Sequence, residues 1–263
     1  MAALSEARKV GIAVAFCVVV WPAKQPVSFN EQRPVMGTYN RADRLDEPFG
    51  IVAAVVSDSV LNDKWTRVQS QIDVELAQIA DCQRSRKSCA SQAALNFIAI
   101  IDAARARHGR ARIGEVNRAI NLAIKPASDL AQHGEADVWT LPLQTLATGA
   151  GECEDYAIEF VALRLSGIPA EDLRIVIVKD VRRGAEHALT AARLDSHWLT
   201  LDNRRMTMVA DTDSWDYRPS FVIHGLRVMR YHDAGLGRAV GESTLHGAWS
   251  SHRIIAGTTR LAP

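Results

Sequence analysis

Cys153, His187 and Asp202 are the residues whose types and spacing suit nucleophilic chemistry. Cys153 follows Gly149-Ala150-Gly151 and opens a segment with helical periodicity. In the first turn of a helix, unpaired backbone N–H groups and the positive end of the dipole favour a thiolate, and the residue's own N–H can face a developing oxyanion. A small apolar cysteine packed on the helix face explains the same position, and position alone leaves both readings open. A thiol nucleophile also needs a base, and the base needs an orienting group. His187 and Asp202 fit these roles if Asp195-Ser196 is the two-residue turn of a hairpin. Leu194 then faces His197, Asp202 falls opposite Leu189, and His187 lies diagonal to Asp202 on the same face, where an imidazole and a carboxylate can meet. A turn one residue longer would reverse that parity.

The neighbours of the cysteine are acidic: Glu152, Glu154 and Asp155. Negative charge there raises a thiol pKa and opposes activation. Acids are ordinary in a helix first turn, but several carboxylates at one turn are also the oxygen ligands that calcium takes. The other histidines (His108, His133, His197, His224, His232, His246 and His252) show no mutual metal-ligand spacing and are assigned no chemistry.

The remaining cysteines bear on the state of Cys153. Arg8 and Lys9 precede an uncharged apolar run over 10–20, so residues 1–23 have the form of a secretory signal; the run falls short of the roughly 20 residues that span a bilayer. An uncleaved anchor or a buried core segment is the other reading. Removal of the signal takes Cys17 with it, leaves no stable membrane insertion, and puts the mature chain in an oxidising compartment. There Cys82 and Cys89, in the link between two helices, read as a local disulfide. A zinc pair lacks the usual shorter spacing and a second ligand pair, and two free thiols fit only a reducing compartment. Cys153 is then the cysteine left over.

These residues need elements to position them. Trp65, Val68, Ile72, Leu76 and Ile79 recur at spacings of three and four and predict a helix over 58–80. Leu95, Ile98 and Ile101 predict a second, and Val116, Ile120 and Ile124 a third that Pro126 stops. Residues 152–166 predict the helix carrying Cys153, ended by Gly167 and Pro169. Strand character follows over 173–178, 187–194 and 197–201. Helices first and strands later argue for an α+β domain over 58–233, with an irregular arm over 24–57 and a Gly- and Ser-rich tail over 234–263. The 263 residues are 48% hydrophobic and 23% charged, a globular composition, and a net charge of +1 provides no field that would draw in nucleic acid or an anionic membrane.

The run Gly151-Glu152-Cys153-Glu154-Asp155-Tyr156-Ala157-Ile158, then His187-Ala188-Leu189, then Leu201-Asp202-Asn203, resembles the bacterial transglutaminase-like cysteine peptidases of the LapG-type periplasmic group. Trp65, Cys82, Cys89, Asn117, Asn121, Asp137, Trp139 and Pro142 extend the likeness, so it covers roughly residues 60 to 225. The resemblance implies a papain-related, transglutaminase-like fold with the nucleophile helix packed on an antiparallel sheet. It implies a triad of Cys153, His187 and Asp202, and calcium held by Glu152 and Glu154, with Asp155 carried over as a further ligand. By the same analogy the partners are a protein substrate such as a large surface adhesin and a membrane-bound regulator. The sequence departs from the family in one place: Glu152 stands where Asp usually precedes the nucleophile, a change calcium's loose geometry tolerates. The same three residues would also serve acyl transfer to an amine, and a non-catalytic calcium-dependent binding module is a third reading, which the intact triad disfavours.

Overall fold

The computed structural model describes residues 47–56 and 59–232. The expected signal over 1–23 and tail over 234–263 lie outside the described residues. The elements run in chain order as β1 (Ala53–Val55), α1 (Val60–Arg84), α2 (Gln92–Arg105), α3 (Gly109–Ala123), β2 (Lys125–Pro126), α4 (Asp129–His133), α5 (Pro142–Thr148), β3 (Ala150–Gly151), α6 (Ile158–Ser166), β4 (Leu173–Asp180), β5 (Ala185–Leu194), β6 (His197–Asp202), β7 (Arg205–Ala210), β8 (Tyr217–His224) and β9 (Arg227–Tyr231). The class is α+β as predicted. Among the described residues no helix is long and apolar enough to cross a membrane.

The expected helical stripe exists: Leu61, Trp65, Val68, Ile72, Ile79 and Cys82 form the buried face of α1. Ser59 caps it by accepting from Asn62 N–H, and Ser91 caps α2 by accepting from Ala94 N–H. Trp65 Nε1 donates to Gly225 O at 2.8 Å, tying α1 to the β8–β9 turn. Cys82 and Cys89 form the expected disulfide, with Cα atoms 4.9 Å apart.

Seven strands make one antiparallel sheet in the order β1-β9-β8-β4-β5-β6-β7. One face, with Ile175, Ile177, Ala188, Ala192 and Leu201, packs on the helices. The other carries Val176, Val178, Leu189, Ala191, Trp198 and Tyr217, packed with Phe49 and Ile51. With both faces covered, β4 is buried at every position but Lys179 and runs unbroken apolar over 175–178, which a half-exposed strand would not. Residues 47–56, expected to be irregular, are the cover of that second face. Glu47 pairs bidentately with buried Arg174 at 2.7 and 3.0 Å, Tyr231 Oη donates to Pro48 O, and β1 adds an edge strand to β9.

Candidate active site

The β5–β6 hairpin has the register the sequence predicted. Leu194 pairs with His197 and Thr190 with Leu201, around Asp195 and Ser196 at φ 50° and 64°. Two successive positive φ values make a type I′ turn, whose twist matches that of the strands, and short polar side chains tolerate it. His187 and Asp202 consequently share a face, and His187 Nε2 lies 2.9 Å from Asp202 Oδ1. Both are buried.

Asp202 is held from several sides. Tyr217 Oη donates to Oδ2 at 2.5 Å and Arg204 N–H to Oδ1 at 3.0 Å. Asn121 Nδ2 reaches Asp202 O at 3.5 Å, and Asn117 Nδ2 donates to Met206 O at 2.9 Å, so α3 clamps the chain on either side of the β6–β7 turn. Burial alone would raise the Asp202 carboxyl, but the His187 hydrogen bond and charge, with those of Tyr217 and Arg204 N–H, outweigh it and hold the group well below the usual carboxylate range. Burial pushes the His187 imidazole down, against the pull of Asp202. The ring is therefore neutral near pH 7. With Nε2 facing the carboxylate as donor, Nδ1 is left as a basic lone pair, and it is buried without a hydrogen-bond partner.

Cys153 lies in a buried turn between β3 and the first turn of the nucleophile helix, a 3-10 turn over Asp155–Ala157 that runs into α6. That start is built by Asp155, whose Oδ2 accepts Glu152 N–H at 2.9 Å as the third residue of a capping box does. Asp155 Oδ1 accepts Thr140 N–H and Oγ1 at 2.8 and 2.7 Å. Gly151 makes this possible: a Cβ there would stand 2.8 Å from Asp155 Cβ. β5 packs on the same turn and brings the His187 strand against the segment carrying Cys153. Cys153 Sγ lies 3.3 Å from Glu154 Oε2. One expectation needs correction: among the described residues no cysteine, Cys153 included, is a free thiol, so nucleophilic chemistry at Cys153 requires its reduced form.

Glu152 and Glu154 do come together, but with Asp129 and without Asp155. Oxygens of Asp129, Glu152 and Glu154 all lie within 4.8 Å of one another, and all three residues are buried. Asp155, with both oxygens engaged in hydrogen bonds, is a structural strut. Asp129 was not found by sequence reasoning because it stands 23 residues upstream of Glu152; its N–H donates to Glu152 Oε1 at 2.9 Å. Burial, with the Asp129, Asp155 and Asp137 charges, pushes Glu152 up to about 7 against the Asp129 N–H bond. Burial likewise raises Asp129 and Glu154. Asp129 Oδ1 and Glu152 Oε2 are buried without hydrogen-bond partners. Crowded carboxylates with oxygens to spare are the donor set of a hard divalent cation.

Beside Glu154 opens a cleft of about 530 Å³, lined by Leu61, Lys64, Trp139, Glu154, Ala188 and Phe221 among others. A thiol position, an oriented imidazole and an adjoining cleft can together support acyl chemistry on a peptide.

The sequence profile of the bacterial transglutaminase-like cysteine proteinases (BTLCP) matches residues 69–220, more than half of the chain. The chain belongs to this family. It is a transglutaminase-like cysteine peptidase, as the motifs around Cys153, His187 and Asp202 had implied. Among solved structures, calcium-bound LapG of Legionella pneumophila is 20% identical, with 64% of this chain and 92% of that one covered at a TM-score of 0.50. Another Legionella pneumophila LapG structure, also 20% identical, matches at 0.47 over 55% and 83%. The structure of a putative cysteine protease from Cytophaga hutchinsonii is 13% identical and matches at 0.33 over 52% and 58%. The calcium-bound match shares the transglutaminase-like peptidase fold seen here. No curated protein matches the chain at a significant level.

Proposed function

We propose that the protein is a calcium-dependent endopeptidase that works through Cys153, His187 and Asp202. The observation that carries this reading is the His187–Asp202 bond, which leaves Nδ1 of a neutral, buried imidazole as the open basic atom. In the reduced enzyme, His187 Nδ1 takes the Cys153 proton, the thiolate attacks a peptide carbonyl, and His187 returns the proton to the leaving amine. Water then attacks the acyl-enzyme with His187 again as base. Asp202 fixes the tautomer and stabilises the imidazolium that forms in each step. Asp129, Glu152 and Glu154 would hold the cation, and calcium bound there supplies positive charge that relieves carboxylate repulsion and favours the neighbouring thiolate. Calcium in a Legionella pneumophila LapG structure supports that assignment.

The proposed substrate is an exported or cell-surface protein, with a large adhesin the form suggested by the LapG-type resemblance, and a membrane-bound regulator controlling access. The proposed compartment is the periplasm, supported by the Cys82–Cys89 disulfide. The test is comparison of surface and secreted proteins from cells carrying the intact enzyme or Cys153→Ala. Accumulation of one uncleaved surface protein in the variant supports the reading; identical processing in both overturns it.

A further inference from the structure

The 137–140 segment connects the acidic cluster to the cleft. Asp137 stands at φ 66°, in the left-handed region that non-glycine residues seldom adopt. It is held there from α1. Lys64 Nζ donates to Asp137 O at 2.7 Å and to Oδ1 at 2.5 Å, and lies 4.8 Å from the Trp139 ring centroid. Trp139 Nε1 donates to the same Oδ1 at 3.1 Å. The residue between them, Val138, donates its N–H to Asp129 Oδ2. Thr140 donates N–H and Oγ1 to Asp155, whose other oxygen caps the turn carrying Cys153. Lys64, Asp137 and Trp139 line the cleft beside Glu154.

We propose that Lys64 is a positioning residue: by latching Asp137 and Trp139 it presents Val138 N–H to Asp129, so that calcium at Asp129, Glu152 and Glu154 and the wall of the substrate cleft are set by the same segment. This rests on the calcium reading above. Release of Lys64 lets Asp137 relax out of its strained φ and draws Val138 N–H away from Asp129, spoiling the aim of one ligand. Coupling of this kind is reciprocal, so a peptide filling the cleft tightens calcium binding as calcium shapes the cleft.

The sign of one effect separates this device from simple electrostatics. Removing the Lys64 cation exposes the negative charge of Asp137 to the cluster, and through the field alone calcium would bind more tightly. The latch requires the opposite.

The experiment is calorimetric titration of calcium into the full-length wild type, Lys64→Met and Lys64→Arg, with thermal unfolding in chelator to show that each variant is folded. Alongside it, tryptophan emission is followed during calcium titration of wild type and Trp139→Phe. The expected result is calcium affinity about tenfold weaker in Lys64→Met, restored to within about threefold in Lys64→Arg, which keeps the charge and donors. The calcium-linked emission change should vanish in Trp139→Phe. Wild-type affinity or tighter binding in Lys64→Met overturns the latch while the calcium reading stands, as does an emission change that persists in Trp139→Phe. A wild type that binds no calcium overturns both.

Discussion

Asp202→Asn keeps the shape of the side chain and removes its charge. In the native site Asp202 accepts from His187 Nε2 at 2.9 Å and Tyr217 Oη at 2.5 Å, both buried, and from half-buried Arg204 N–H at 3.0 Å. A hydrogen bond to a buried charge is worth about 1.5 to 3 kcal/mol, and the imidazolium formed during the reaction loses its counter-charge as well. One such interaction realised in the transition state corresponds to about 10- to 150-fold in rate. The amide also offers N–H to Nε2, which favours the tautomer with the proton on Nδ1 and blocks the base, so the expected loss in kcat/KM is about 100-fold or more. The pH profile carries a second sign. Burial lowers His187 and Asp202 props it up; without the carboxylate the imidazole falls further, and the acid limb of kcat/KM moves to lower pH. Stability responds as well. The folded-state pKa of Asp202 is depressed below its ordinary 3.8, so its contribution is present above that value and lost as pH falls through the folded one. Asp202→Asn should flatten that part of the acid unfolding curve. The assay is peptide cleavage by reduced, calcium-loaded enzyme across pH. A variant within twofold of wild type, with an unmoved acid limb, would refute the role given to Asp202.

Three further outcomes are expected. Replacing Cys82 and Cys89 by alanine opens a closure between residues seven apart in sequence and should cost about 2 kcal/mol, read as a lowered Tm; an unchanged Tm counts against it. Gly151→Ala forces a Cβ to within 2.8 Å of Asp155 Cβ, and should destabilise by about 1 to 3 kcal/mol while reducing cleavage, checked by denaturant unfolding and activity together. Because Glu152 is pushed up to about 7 and a carboxylate must lose its proton to ligate, calcium affinity should rise as pH increases through that value and level off above it; a pH-independent affinity in calorimetry, or retained binding in Asp129→Asn, would exclude these ligands.

Much of the site was legible because its geometry follows from local rules. The 3.6-residue period of Trp65, Val68, Ile72 and Ile79 specified the buried face of α1, and a two-residue turn at Asp195-Ser196 was enough to put His187 and Asp202 on one face. The disulfide joins the last turn of α1 to a residue only seven positions on. What escaped depended on contacts distant in sequence. Asp129 joins Glu152 and Glu154 only after β2 and β3 pair in parallel and bring α4 beside the cysteine turn. β1 is three residues long and owes its existence to β9. β7 has exposed residues on both faces, and β8 hides behind Pro219, which sits at a register shift beside β4 where a missing N–H is tolerated. Asp155 looked like its neighbours Glu152 and Glu154; the hydrogen bonds that set it apart from the carboxylate cluster depend on Gly151 and on Thr140, fifteen residues away.

The most direct measurement is the intact mass of the reduced, calcium-loaded enzyme after exposure to a peptide bearing a thiol-reactive electrophile, with the adduct site mapped. One adduct on Cys153 is expected, absent in Cys153→Ala and much slowed in His187→Ala. Peptide cleavage that continues in Cys153→Ala, or a wild type that cleaves peptide but takes no adduct at Cys153, would contradict nucleophilic catalysis by this cysteine.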